Sequence, residues 1–403
     1  MKVEIGFDLA VNGVGNWFTL NDTTKGALDN TTYKLSGEVL VDVTSKARDV
    51  SIRRGRSRTL ERFTAGVASV TLDNRDRAFD PLYASSPYYG SITPRRQVRI
   101  SEDGVNLFTG NVEDWRWDYD LSGDSTATPQ AVDGFSVLAL GTVTPGTQTS
   151  QTSGQRIGTV LTAVGWPATD RVIATGAATL AADVVQSDTN ALAYIQQVEL
   201  SEQGAAFIDV NGAFKFLART DLQNYATGAV TFGPSGVPFV DYEMASVTED
   251  MKNQVAVTWS AGTAVGGTAT ATDSTSVTTF GPFNASYDTL LNSSAQAQDM
   301  ANYLVAAYKD PTLRFNSVTV ALHGITAAQK ASVLALDLGA PVAVSWTPNA
   351  IGSAITQYVT IDQIEHTATP DSHFVKFTLS QSAVAFVLDS SQFGVLDTNQ
   401  LGY

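Results

Sequence analysis

The spacing of apolar positions changes along the chain. Up to about residue 145 it is short: alternating or β-branched runs at Val39 to Thr44, Val67 to Leu72, Gln97 to Ser101 and Asn111 to Tyr119 predict strands joined by turns. A helical period first enters at SGQRIGTVLTAVGWP, residues 153 to 167. There Ile157, Val160, Leu161 and Val164 share one face, a serine stands at the start and Pro167 marks the stop. A second helix is predicted in DTNALAYIQQVELSEQG, with Leu192, Ile195 and Val198 as its apolar face, Asp188, Thr189 or Asn190 as cap and Gly204 as stop. In AAFIDVNGAFKFLAR two apolar-alternating runs flank Asn211-Gly212, a dipeptide suited to positive φ angles, which predicts a tight hairpin. Strands return from about Val255. They are interrupted by a helix near 293–308, whose Ala297, Met300, Tyr303, Leu304 and Ala307 form a core-facing stripe before Pro311. The stretch 262–281, rich in Gly, Thr and Ala, predicts an exposed hairpin arm or a mobile loop.

One pattern occurs twice. QVRI (97–100) followed by TGNVEDW (109–115) returns in type as PVAVSW (341–346) followed by TIDQIEH (360–366), each a strand, a loop and a strand ending in acidic residues. The repeat predicts one β-barrel used twice within 403 residues, a length that accommodates two or three domains.

Composition adds limits. Charged residues are 16% of the chain and cysteine is absent, which rules out disulfides and thiolate metal sites and suits synthesis in a cytosol. The N-terminus lacks the basic start and apolar core of a secretion signal, and no stretch approaches the roughly 18 apolar residues of a membrane span. The net charge of −15 is uneven: 16 basic and 15 acidic residues lie up to Arg116, 9 and 25 beyond it. An acidic body disfavours tight wrapping of a nucleic acid, because affinity for phosphates requires their neutralisation.

The residues give little support to catalysis. The histidines are His323, His366 and His373, and the last two flank a Thr-Pro-Asp turn instead of sharing the helix face that a zinc-binding His-Glu-x-x-His needs. No Gly-x-Ser-x-Gly elbow is present. The run Asp73 to Pro81, DNRDRAFDP, places Arg75 and Arg77 where a calcium loop needs oxygen ligands. It reads as a turn in which Asp and Asn side chains hold backbone N–H groups and arginines pair with carboxylates. The basic cluster Arg53, Arg54, Arg56, Arg58 and Arg62 lacks both a phosphate-binding glycine turn and interleaved aromatic residues. Docking on a partner's carboxylates suits it better, which makes Arg53, Arg54, Arg56 and Arg58 candidates for a subunit interface.

The segment from Val41 to Gly110 resembles the signature stretch of minor tail proteins from long-tailed phages of actinobacteria. Its matching elements are RRGR, TAG leading into VTLDNRDRAFDP, the SPYYG turn, the strand beginning PRRQVRI, and FTG. Further matches lie at 190–219, 248–259, LDLGAPVAV (336–344) and the closing LDSSQFGVLDTNQLGY. The resemblance implies a mainly β tail-hub fold with duplicated β-barrel hub domains and smaller α/β domains. The expected divisions are a first barrel at 1–145, an inserted α/β domain at 146–245, a second barrel at 246–385 and a tail at 386–403. It also implies a structural, non-enzymatic homotrimeric ring at the tail tip of a virion, with no cofactor. The expected partners are the distal tail protein, the tape measure protein and other tail-tip proteins, with DNA passing through a channel without specific binding. Because the sequence ends at Tyr403, just after the second barrel, no appended lytic domain is expected. The alternatives are a distal tail or receptor-binding component and a cell-wall hydrolase.

Overall fold

The computed structural model describes residues 1–8, 23–24, 38–58, 61–143, 146–185, 188–222, 230–246, 248 and 250–381. The closing segment matched above and the expected tail at 386–403 lie outside the described residues.

The architecture is mainly β with small helical parts, as the sequence predicts. In the first part β1 (Lys2–Asp8), β2 (Glu38–Asp42), β3 (Ala47–Gly55), β4 (Thr64–Asp73), β5 (Gln97–Glu102), β6 (Val105–Tyr119) and β7 (Ser125–Val132) are followed by α1 (Phe135–Leu140). The middle holds α2 (Ser153–Ala163), β8 (Arg171–Ile173), α3 (Ala191–Glu202), β9 (Ala205–Ile208) and β10 (Phe214–Leu217), of which β8, β10 and β9 make a three-stranded sheet. The last part contains β11 (Thr231–Phe232), β12 (Asp241–Ala245), β13 (Gln254–Ala261), β14 (Ala264–Thr272), α4 (Ser274–Phe280), β15 (Asn284–Asp288), α5 (Ser294–Tyr308), β16 (Arg314–Ala321), α6 (Ala327–Leu334), β17 (Pro341–Trp346), β18 (Ile355–Thr369) and β19 (Ser372–Gln381).

The principal sheet runs in the order β12-β16-β19-β18-β3-β4-β7-β6-β5-β1-β2, with β17 also paired to β18 and β11 to β17. Within it one arrangement occurs twice. β3-β4-β7-β6-β5 and β12-β16-β19-β18-β17 have the same spatial order, and in each set the five strands follow one another in the same order along the chain. The registers agree as well. Gln97 faces Asn111 where Pro341 faces Thr360, and Ser69 faces Gln130 where Ser317 faces Thr378. Each long central strand bulges at the residue two beyond that facing position, Glu113 in β6 and Asp362 in β18. A bulge adds one residue to one strand; it leaves Val112 and Trp115 buried in β6, and Ile361 and Ile364 buried in β18. Superposed this way, NVEDW (111–115) matches TIDQI (360–364), two residues away from the alignment suggested by the shared threonines. SVTL (69–72) matches SVTV (317–320).

The two five-strand sets belong to one branched sheet, in which β18 gives its far half to β3 of the other set, and among the described residues no closed barrel is formed. The helices lie where their periods place them, with adjusted ends. α2 is capped by Thr152 in a reciprocal capping box with Gln155, while Ser153 is buried and donates to Glu202 at 2.7 Å. α3 is capped by Asn190, and its left-handed end residue is Gln203, not Gly204. A side chain at Gly204 would meet the Leu217 carbonyl at 2.4 Å. The hairpin at Asn211-Gly212 is wider than a two-residue turn. Only Gly212 has positive φ, and the Asp209 carboxylate accepts from the N–H groups of Asn211 and Ala213. The Thr-rich stretch 262–281 supplies β14 and then α4, which the sequence pattern missed; Asp273 caps that helix by accepting from Ser276 N–H.

Candidate assembly seam

The two five-strand sets meet along β3 and β18, paired antiparallel from Val50 opposite Ala368 to Gly55 opposite Gln363. At the end of β3 the chain passes very close to the bulge of β18. Gly55 has φ +112°, and a Cβ there would sit 2.1 Å from the Asp362 carbonyl oxygen. That oxygen accepts from Arg56 N–H at 2.9 Å. The bulge turns the Asp362 carboxylate, almost wholly buried, toward the Arg56 guanidinium, which donates to it at 2.9 Å and lies over the Phe63 ring.

Arg54 is also sealed in. Its guanidinium donates to the Ile208 carbonyl at 2.8 Å and to Asp337 at 3.1 Å, and Asp337 also meets Lys215. The β9–β10 hairpin loop docks beside it: Thr109 donates to the Val210 carbonyl and Asn106 to Asn211. On the other flank Lys330 of α6 pairs with Glu102 and Asp103, and the N-terminal amine also binds Glu102.

The four arginines expected at a subunit interface therefore divide. Arg54 and Arg56 pair with Asp337 and Asp362 of their own chain, whereas Arg53 and Arg58 are exposed. Their intramolecular partners, Asp337 and Asp362, were legible only as acids within LDLGAPVAV and TIDQIEH.

Buried titratable groups cluster along the seam. Glu199 of α3 accepts from Ala206 N–H, and burial pushes its carboxyl up to about 7 although Arg56 and Arg62 pull the other way. His366 and His373 face each other at 3.0 Å between ring nitrogens, and His373 N–H donates to the His323 ring. Burial lowers His366 to about 3, with His373 and Arg54 adding to the effect, and burial lowers His373 to about 4. All three histidines thus converge, which the sequence reading did not foresee. Among the described residues no group of three or more His, Cys, Asp or Glu is placed to hold a metal ion. The 73–81 turn has the predicted build: Arg75 pairs with Asp73, Arg77 with Asp80, and the Asn74 side chain accepts from Phe79 N–H. No described helix is long and apolar enough to cross a membrane.

Among solved structures, the chain is similar over 95% of its length to the 43 kDa tail protein of prophage MuSo2 from Shewanella oneidensis, of which 99% is covered, with a TM-score of 0.60 at 13% identity. This is the fold of phage tail proteins. The same tail-protein fold is seen in a tail protein from Neisseria meningitidis MC58 (TM-score 0.60, 11% identity, 86% of this chain and 94% of that one). It is seen again in prophage tail protein gp18 from Listeria monocytogenes EGD-e (0.52, 11%, 94% of each). No family model and no curated protein matches the chain.

Proposed function

We propose that the protein is a structural hub at the tip of a phage tail, three copies of which close into a ring around a channel for DNA. The observation that carries this reading is the doubled five-strand arrangement inside a tail-protein fold. Three copies would present six similar modules, able to mate with a sixfold distal tail ring on one side and a threefold tip on the other. In this reading 1–145 is the first hub domain; the second, expected from 246, starts a few residues earlier with β12 at Asp241 and runs to 385, the α/β part expected at 146–245 is inserted between them, and the 386–403 tail follows. The role is non-enzymatic, needs no cofactor, and places the protein in the virion beside the distal tail and tape measure proteins. The acidic body suits passage of DNA without adhesion. Arg53 and Arg58 remain the candidates from the basic cluster for contact with a neighbour.

Electron microscopy of the particle, or light scattering of the purified chain, is expected to give three copies in a ring. A sixfold ring, or carbohydrate binding by the isolated protein, would favour a distal tail or receptor-binding component. Lysis of host cell walls in a zymogram would overturn the non-enzymatic reading.

A further inference from the structure

The internal seam has an unfilled counterpart. Both long central strands have 15 residues and are flanked on one edge by a short strand for part of their length. In β18 that edge carries β17 up to Thr360 and then β3 from Gln363 to Ala368. In β6 the same edge carries β5 up to Asn111 and then the Arg95–Arg96 backbone at Val112. From Asp114 to Tyr119, β6 pairs with β7 on its other edge, and among the described residues no strand lies on the edge where β18 receives β3. The counterpart of β3 in the second set is β12, and among the described residues it too has one edge without a strand. It pairs with β16 and ends the sheet, with Tyr242 36% and Val240 62% exposed. Thus one pair of edges joins the two modules, and among the described residues the equivalent pair, on β6 and on β12, carries no strand.

Open strand edges present unpaired N–H and C=O groups that template pairing with another chain. We infer that the open edge of β6, residues 114–119, receives β12 of a second copy of this chain, antiparallel, repeating between subunits the joint that β18 and β3 make within one. The surfaces are different and each copy has one of each, so the contact is head-to-tail and closes a ring when the rotation permits. This deepens the ring reading above by naming its contact strands.

The internal registers give the expected pairing. Ala368 faces Val50; the equivalents of these residues are Tyr119 and Tyr242, both exposed, so two tyrosines should meet across the joint. Asp118 then comes opposite Glu243, with Arg116 on the diagonal to offset the like charges. The β12 bulge between Glu243 and Met244 limits the match to the Tyr242 end.

The absence of cysteine makes the test direct. Opposed residues in an antiparallel pair have Cα atoms about 4.5–5.5 Å apart, within the span of a disulfide. Tyr119→Cys and Tyr242→Cys in one full-length chain should give, under oxidation, a reducible ladder ending at a closed species. The two single variants mixed should give dimer only, and each alone none above background. Circular dichroism of the variants should match the parent. A protein that sediments as a trimer, yet forms no Tyr119→Cys/Tyr242→Cys bond, would overturn this joint while leaving the ring intact. A chain that stays monomeric and uncrosslinked up to its solubility limit would overturn both.

Discussion

Asp362 shows how a single residue can hold two modules together. It stands at a bulge, where the extra residue lets its carboxylate leave the regular alternation and meet Arg56. Removing one partner of a buried ion pair leaves the other charge uncompensated, which costs roughly 3–5 kcal/mol. Asp362→Ala should therefore lower stability by about that amount in urea denaturation, while Arg56→Met with Asp362→Leu should lose distinctly less, because no charge is then stranded. The equivalent residue of the first module, Glu113, is exposed. The sequence showed both acids as strand-terminal features, but which of them would be buried depends on what lies across the strand, and residue spacing carries no such information.

At the scale of elements, strands and longer helices were legible because burial writes a period into the chain. The runs at 67–72, 97–101 and 111–119 all fall in strands, and the helix expected near 293–308 spans Ser294–Tyr308. What could not be read was pairing. The β6 and β18 strands look alike in sequence only loosely, and their pairing registers place the true alignment two residues from the one the threonines suggest. The α4 helix was missed because STSVTTF offers no apolar stripe, and its capping Asp273 was the available signal. Equivalence of the long strands makes a matched pair of mutations informative. Trp115 and Ile364 occupy the same position after the bulge and are both buried. Trp115→Ala should cost about 3–5 kcal/mol and Ile364→Ala about 2–5 kcal/mol by chemical denaturation. Trp115 also donates to the Thr93 carbonyl, so its loss should lie toward the upper end. Values near zero at either position would contradict the aligned modules.

At the scale of the whole molecule, the seam makes stability depend on pH. His366 and His373 titrate at about 3 and about 4 in the fold, below the ordinary 6.5. A folded value lowered in this way means that the unfolded chain binds protons first, so their contribution is complete above about pH 6.5 and is lost as pH falls toward 4. Glu199, and Asp133, whose carboxylate accepts from the N–H groups of Gly66 and Phe135, are raised by burial to about 7 and about 6 and act in the opposite sense, favouring the fold as they become protonated. Comparison with His366→Gln isolates the histidine part: the variant should lose less stability than the parent between pH 6.5 and 4 in urea titrations. An identical slope would place His366 in solvent. The fold class was legible from the strand periods and from the signature stretch. The convergence of residues 54, 199, 337, 362 and 366 was not, because it arises where β3 pairs with β18, a strand distant in the chain.

The shared edge of β18 has one more consequence. Where one strand is clasped first by a neighbour from its own module and then by one from the other, the link between modules is intramolecular and dilution leaves it untouched. An annulus assembled from such chains would contain two sorts of joint in alternation, one permanent and one reversible, so it would come apart only into whole pairs of modules and never into halves.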